Sequence, residues 1–389
     1  MTIINLGTYP PKQCGIATFS QDLRNSIEQC GRKVEVISIS DNNVPCQYGS
    51  EVKLIIKQEE KQDYYLAAQY INKHHDSKLV IIQHEYGIYG GLDGEYILGL
   101  AKNLAKPYIV ITHTVLPSPK RHPQSVLHRL CSGAAAVVCM TKRSARLLND
   151  MYGIPAHLIN VISHGVPEFS RNDSAELKQK YGLQGRTVIS TFGLLGPGKG
   201  LEMGIKALVP LVKLYPDILY LILGQTHPVL QTREGESYRL MLVNLVNELS
   251  LQGNVCFVNK FLDDAELNDY LNLTDIYLSP YPNKDQAVSG TLAFAMGAGK
   301  AIVSTAYAYA LEVLNNGRGL LALENNPEYI SRLIAKIIAN PALKKSLGEN
   351  AYQLGKTWSW PNIGRQYCNL FAALDRSEQE VSPLNYARL

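Results

Sequence analysis

The sequence predicts an α/β protein made of two doubly wound, Rossmann-like domains facing a cleft. Three observations carry this expectation. Short Val/Ile-rich runs alternate with helical patterns along most of the chain. The runs are continuous instead of alternating, as in parallel strands covered on both faces. The pattern also restarts after a polar stretch, Asn172–Lys180, in a chain whose 389 residues exceed one ordinary core.

In the first half, strands are expected at Ile3–Leu6, Val34–Ser38, Val80–Gln83, Tyr108–Thr112, Ala136–Cys139 and Val161–Ser163, with helices such as Ser20–Cys30 and Tyr64–Asn72 between them. In the second half the strands are Val188–Phe192, Leu219–Gly224, Val255–Val258, Ile276–Ser279 and Ala301–Thr305. Helices there span Glu202–Leu214, Ser237–Leu249 and Asp264–Leu273. A further short helix of small and apolar residues opens at Ser289-Gly290-Thr291 and stops at Gly297-Ala298-Gly299. The seam between the halves is expected near Gly165–Asn172, giving an N-terminal domain 1–168 and a C-terminal domain 169–369.

A hydrophobic content of 46% with 19% charged residues describes a globular chain. A net charge of +4 argues against dedicated nucleic-acid binding. Between Glu95 and Asp150 there is no acidic residue, while Lys102, Lys106, Lys120, Arg121, Arg129, Lys142, Arg143 and Arg146 fall in that interval. This basic 102–146 region is either a solvated face or a surface for an anionic membrane or a phosphorylated substrate. Cysteines 14, 30, 46, 131, 139, 256 and 368 are scattered without C-x-x-C spacing, which fits free thiols in a reducing compartment. No apolar run approaches membrane-spanning length and MTIINLGTYPP lacks a charged n-region, so a cytoplasmic location is expected, with peripheral contact at the inner membrane face as its variant.

In doubly wound sheets the working loops follow the carboxyl ends of the strands. Five such loops carry chemistry. Gly7 to Thr18 holds Gly15 before a helix, suited to close approach of an anion or simply to a βα turn. Gln83-His84-Glu85-Tyr86-Gly87-Ile-Tyr-Gly-Gly91 places a His-Glu pair beside aromatics and three glycines, a pattern for a polyhydroxylated ligand or a turn with an exposed His. His113 ends an apolar strand at Thr112-His113-Thr114. Phe192-Gly-Leu-Leu-Gly-Pro-Gly198-Lys199-Gly200 nearly matches the phosphate-binding G-x-x-x-x-G-K-[ST] pattern, but Gly200 stands where a magnesium-holding hydroxyl belongs. Lys199 can still neutralise phosphate. Finally, Ser289 or Ser289-Gly290 caps a helix whose free N–H groups suit an anion. There is no D-x-D, no metal-spaced His/Cys/carboxylate cluster and no G-x-G-x-x-G, so neither a catalytic metal nor a dehydrogenase is indicated.

With these loops in place the sequence resembles a GT-B glycosyltransferase of family 4, in particular its mannosyltransferase-like members. The resemblance rests on Pro11-Lys-Gln-Cys-Gly-Ile-Ala-Thr-Phe19, Val161-Ile-Ser-His-Gly-Val-Pro167, Phe192 to Gly200, Leu262-Asp-Asp-Ala-Glu-Leu267 through Asp275-Ile-Tyr-Leu-Ser-Pro280, and Ser289 to Lys300. It implies that Gly15 lies near the reaction centre and that His113 touches the transferred sugar. It further implies that Lys199, with Gly198 in its loop, binds the donor diphosphate, and that Ser289, Gly290 and Thr291 offer N–H groups to sugar and phosphates. Around Trp358-Ser-Trp-Pro361 it implies a crossover, after which a last helix at about 370–389 packs back on the first domain. Three positions depart from the pattern. Leu194 replaces an arginine for the diphosphate. Gln286 stands where many members carry a glutamate for the sugar hydroxyls, which glutamine can still hydrogen-bond without charge. Phe294 stands where they carry one for the ribose, so that either Glu312 serves the ribose or the donor differs from the usual one. The resulting expectation is a retaining, metal-independent hexosyltransferase with no cofactor. Its donor is a nucleoside-diphosphate sugar, GDP-mannose favoured, and its acceptor a glycan or lipid-linked hydroxyl approached on the side of His84, Glu85 and Tyr86. A phosphorylase using free phosphate and a non-catalytic sugar- or nucleotide-binding relative are the alternatives.

Overall fold

The computed structural model describes residues 2–41, 47–324 and 326–381, of which 377–381 by backbone alone. Cys46 and the 382–389 end of the expected last helix lie outside the described residues. The chain forms two compact units: the residues up to Gly165 together with those from Trp360 onward, and Val166–Ser359.

The first unit is built on a seven-stranded parallel sheet. Its strands are β1 (Thr2–Gly7), β2 (Lys33–Ser40), β3 (Val52–Lys57), β4 (Ser77–His84), β5 (Tyr108–Thr112), β6 (Ala136–Cys139) and β7 (Ile159–Val161). They lie in the order β3-β2-β1-β4-β5-β6-β7. Apart from Lys78 near the start of β4, the central strands β1, β4 and β5 are buried along their length because helices cover both faces, which is why they read as apolar runs. Ile4, Leu6, Val80, Ile82 and Val110 are fully buried, each worth about 1.5–3 kcal/mol of burial. The strand order reverses between β1 and β4, so the crevice of this unit opens where the loops after those strands diverge.

The second unit repeats the plan with six parallel strands. These are β8 (Thr187–Phe192), β9 (Ile218–Leu223), β10 (Val255–Val258), β11 (Ile276–Ser279), β12 (Ala301–Thr305) and β13 (Leu320–Ala322), in the order β10-β9-β8-β11-β12-β13. Here the reversal falls between β8 and β11. The loop carrying Lys199 leaves β8, and the segment leading to Ser289 leaves β11. The topology therefore brings together two of the loops singled out in the sequence.

Four local differences from the sequence expectation have physical causes. The first helix starts at Gly15, not Ser20, because the Cys14 sulfur accepts from the Ala17 N–H at 3.3 Å and serves as its N-cap, a role usually given to Ser, Thr, Asp or Asn. The strand expected at Val161–Ser163 is instead Ile159–Val161: its neighbour β6 ends at Cys139, whose carbonyl takes a last bond from Ile162 N–H. β3 and β13 are edge strands, partly exposed or only three residues long, too weakly patterned to stand out. The last helix begins at Trp360, well before the expected 370. It lies directly on the Gly15–Gln29 helix within the first unit: a Cβ on Gly364 would come within 2.5 Å of the Ser26 carbonyl oxygen. Trp360 fills the space left by Gly165, where a Cβ would stand 2.3 Å from the indole.

Candidate functional site

In the second unit, β8 and β11 deliver their loops to one polar cluster. Lys199 follows Gly198 on a short turn, Pro197–Lys199, and its Nζ donates to the Tyr281 hydroxyl at 2.5 Å while lying 4.7 Å from that ring's centroid. The Tyr281 hydroxyl pairs with Thr291 Oγ1 at 2.8 Å, and Thr291 Oγ1 with Ser289 Oγ at 3.2 Å. Ser289 Oγ accepts from Leu292 N–H and caps the Gly290–Gly297 helix. The N–H groups of Gly290 and Thr291 stay outside the helical ladder, and the positive end of the helix adds to the charge of Lys199. Burial would push the Tyr281 phenol up, but the Lys199 ammonium and the hydrogen bonds from Lys199, Thr291 and Ser289 outweigh it and hold the group below the usual phenol range. Chemically, a cation beside a helix N-terminus is an arrangement able to hold an anion.

Gly200 explains the missing hydroxyl of the phosphate-loop pattern. Its φ is +60°, and a Cβ there would sit 2.2 Å from the Pro280 carbonyl oxygen. Neither Ser nor Thr fits that position. Gly198, by contrast, has nothing within 4 Å of where a Cβ would stand and is exposed, so packing gives no reason for its being glycine. Leu194 is half-buried in the same loop. Gln286 turns its Nε2 onto the Val288 carbonyl at 2.9 Å, within its own loop. Phe294 packs among rings, 6.0 Å from Phe169 and 6.1 Å from Phe192. Glu312 lies half-buried on the Ala308–Val313 helix.

In the first unit, His113 closes a chain of hydrogen bonds that crosses the switch point. The Ser20 carbonyl accepts from Asn5 Nδ2 at 3.3 Å, and Asn5 Oδ1 from Gln83 Nε2 at 3.0 Å. Gln83 Oε1 then lies 2.8 Å from His113 Nε2. Because the chain starts on a carbonyl, its direction makes Nε2 the protonated nitrogen, and Nδ1 is left as an acceptor. Phe19 stands edge-on to the imidazole at 4.8 Å. His113 is 8% exposed. Burial, and then repulsion from His164 and His84, lowers its pKa to about 3, so it is neutral near pH 7.

Of the expected acceptor-side triplet, His84 is buried and Glu85 and Tyr86 are half-buried. His84 ends β4 at 2% exposure, its Nδ1 buried without a partner, and burial lowers its pKa to about 4. Glu85 accepts from Thr114 Oγ1 at 2.7 Å and from the Tyr86 N–H at 2.8 Å; burial raises its carboxyl despite these bonds. The Tyr86 hydroxyl lies 3.4 Å from that of Tyr152. Gly15 opens its helix exposed, with nothing within 4 Å of a Cβ. Of the basic residues in 102–146, Lys106 also points inward, to the His74 carbonyl and the Ser77 hydroxyl. Among the described residues no helix is long and apolar enough to cross a membrane.

Sequence reasoning passed over Tyr281, Gln83 and Asn5 as participants. The strand-end rule points to Tyr281, which follows β11 at Ser279-Pro280-Tyr281. Asn5 and Gln83 interrupt apolar strands, and a polar side chain in a fully covered strand needs buried partners.

Residues 173–354, nearly the whole second unit, match the family model described as glycosyl transferases group 1. An uncharacterized glycosyltransferase of Methanocaldococcus jannaschii is 31% identical over 209 residues, 53% of this chain and 49% of that protein. The lipopolysaccharide core biosynthesis mannosyltransferase LpcC of Rhizobium leguminosarum bv. viciae is 24% identical over 217 residues, 56% of this chain and 58% of its own. The chain thus spans about half the length of these curated relatives. Among solved structures, sucrose-phosphate synthase from Thermosynechococcus elongatus superposes with a TM-score of 0.78 at 17% identity, over 97% of this chain and 100% of that one. Anabaena HepE in complex with UDP gives 0.76 at 17% identity, over 96% and 100%. The fold is GT-B, two Rossmann-like domains.

Proposed function

We propose that the chain is a retaining, metal-independent glycosyltransferase that moves a hexose from a nucleoside-diphosphate sugar to a hydroxyl of a glycan or lipid-linked acceptor. Mannose is the favoured sugar and GDP-mannose the favoured donor, a preference supported by the mannosyltransferase among the relatives. The observation that carries the reading is the meeting of Lys199 with the N-terminus of the Gly290–Gly297 helix at the β8/β11 switch point. When the bond between the sugar carbon and the diphosphate oxygen breaks, negative charge grows on the phosphates. A fixed ammonium and oriented N–H groups stabilise that charge without reorganising. The acceptor oxygen bonds to the sugar carbon on the face the phosphate leaves, and the acceptor proton passes to the departing phosphate oxygen, so no protein base is required. His113, neutral and held by Gln83, takes the sugar-facing role, and Gly15 and Gly198 leave backbone open to the substrate.

A thermal-shift screen of the intact protein with GDP, UDP and ADP and their sugars tests this, since a ligand that binds only the folded state raises its melting temperature. GDP and GDP-mannose are expected to stabilise it, and Lys199→Ala to abolish the shift and cut turnover about a hundredfold or more. Near-normal transfer by folded Lys199→Ala would sink the assignment. One observation favours a phosphorylase: Phe294 brings no carboxylate to a ribose and its ring packs against Phe169 and Phe192, while Leu194 brings no charge to a diphosphate. Release of a sugar 1-phosphate on adding inorganic phosphate, with no response to any nucleotide, would select that reading.

A further inference from the structure

Tyr281 is held more firmly than a loop residue needs to be. Its ring stacks on Tyr307 at 5.1 Å and 15°, its carbonyl accepts from Thr305 Oγ1 at 2.6 Å, and only 5% of it is exposed. The hydroxyl at the end of this fixed ring bonds both the Lys199 side chain and Thr291 at the start of the Gly290–Gly297 helix. An ammonium can only donate, so the phenol oxygen accepts from Lys199, and the same hydroxyl shares a hydrogen bond with Thr291 Oγ1 in which either can donate. Lys199 keeps its remaining N–H donors for a ligand. Gly193 leaves room for the meeting: a Cβ there would stand 3.2 Å from both Lys199 Nζ and Thr291 Cγ2. Without the hydroxyl, a four-carbon stem in a glycine-rich loop would have to be ordered by the ligand itself, at an entropic cost.

We propose that Tyr281 is a positioning residue for the anion: its hydroxyl presets the Lys199 ammonium and the Thr291 end of the helix in the arrangement that receives a donor diphosphate. The proposal rests on the reading of the second unit as a diphosphate site. It makes the tyrosine act through the lysine, which separates it from a tyrosine that merely packs the loop.

A double-mutant cycle on the full chain tests this, reading the affinity for GDP and for UDP by calorimetry. Tyr281→Phe keeps the stacked ring and removes only the hydroxyl. It is expected to weaken diphosphate binding about tenfold beside Lys199, but less than about twofold in the Lys199→Ala background. In turnover, the loss is expected in kcat/KM for the donor with the acceptor KM unchanged. An equal loss in both backgrounds would show a structural role and overturn the proposal, as would no loss at all while Lys199→Ala weakens binding. If Lys199→Ala itself leaves affinity unchanged, the diphosphate reading fails and the positioning role with it. Should Tyr281→Phe melt early, Thr291→Val provides the second variant: it removes the other end of the bridge, and its effect must likewise depend on Lys199.

Discussion

At the scale of single residues, the glycines of the Lys199 loop do different jobs and can be told apart by substitution. Gly200 is required by the backbone, with φ +60° and the Pro280 carbonyl in the way of a side chain. Gly200→Ser is expected to cost at least about 1–3 kcal/mol, read as a lower denaturant midpoint at unchanged slope. It should not create a magnesium site, because the loop must move to admit the side chain. Gly198 and Gly15 have open space where a Cβ would go. Alanine at either should leave the melting temperature within about 1–2 °C of the parent while donor turnover falls; unchanged turnover would remove both from the substrate's surroundings. The buried histidines predict acid lability. His113 and His84 have folded pKa values lowered to about 3 and about 4 from 6.5. The unfolded chain therefore binds more protons between those values and 6.5. Stability is fully present above about pH 6.5 and drains as pH falls toward 4, by on the order of a few kcal/mol. His113→Gln should flatten the pH dependence of the melting temperature in that window, and an unchanged slope would contradict the burial account.

At the scale of elements, helix starts decide what the loops can do. Ser289 caps the Gly290–Gly297 helix and also belongs to the Tyr281–Thr291 chain. Ser289→Ala is expected to cost about 1 kcal/mol of stability and to weaken diphosphate binding, whereas Ser289→Thr should restore the cap. A variant that loses neither, measured by denaturation and by GDP titration, would free this serine of both roles. This helix was legible in the sequence because Ser-Gly-Thr followed by small apolar residues is a local pattern. The start of the Gly15–Gln29 helix was not, because a cysteine sulfur takes the place of the usual oxygen cap. The edge strands β3 and β13 escaped for a different reason: an edge is covered on fewer sides, so its sequence carries less of the apolar run that marks β4 or β9.

At the scale of the whole molecule, each unit closes its own core, so unfolding need not be a single transition. Val166–Ser359 expressed alone is expected to melt cooperatively and to retain GDP binding, since every member of the Lys199 cluster lies within it; a disordered fragment would refute this. The first unit depends on both ends of the chain. Trp360 packs edge-on to Phe19 at 5.2 Å and occupies the space of Gly165. Trp360→Ala should cost about 3–5 kcal/mol in the transition of the first unit and leave that of the second in place, as two-wavelength or calorimetric unfolding would show.

The sequence by itself determined the class of this protein. Unbroken apolar runs specify covered parallel strands, and glycine-rich loops after those strands specify where chemistry can sit, because both are local consequences of backbone geometry. Lys199, Ser289 and His113 are candidates picked out on that ground. What tertiary structure alone decided is which partners those residues have. The Tyr281 hydroxyl reaches Lys199 across 82 positions of sequence, and Gln83 reaches His113 across 30. Such pairings depend on the strand order of the sheets, which juxtaposes β8 with β11 and β1 with β4. The same packing buried His84 and tied the half-buried Glu85 and Lys106 to neighbouring groups. No pattern of neighbours in sequence encodes this, since side-chain direction at a loop is set by the elements that close over it.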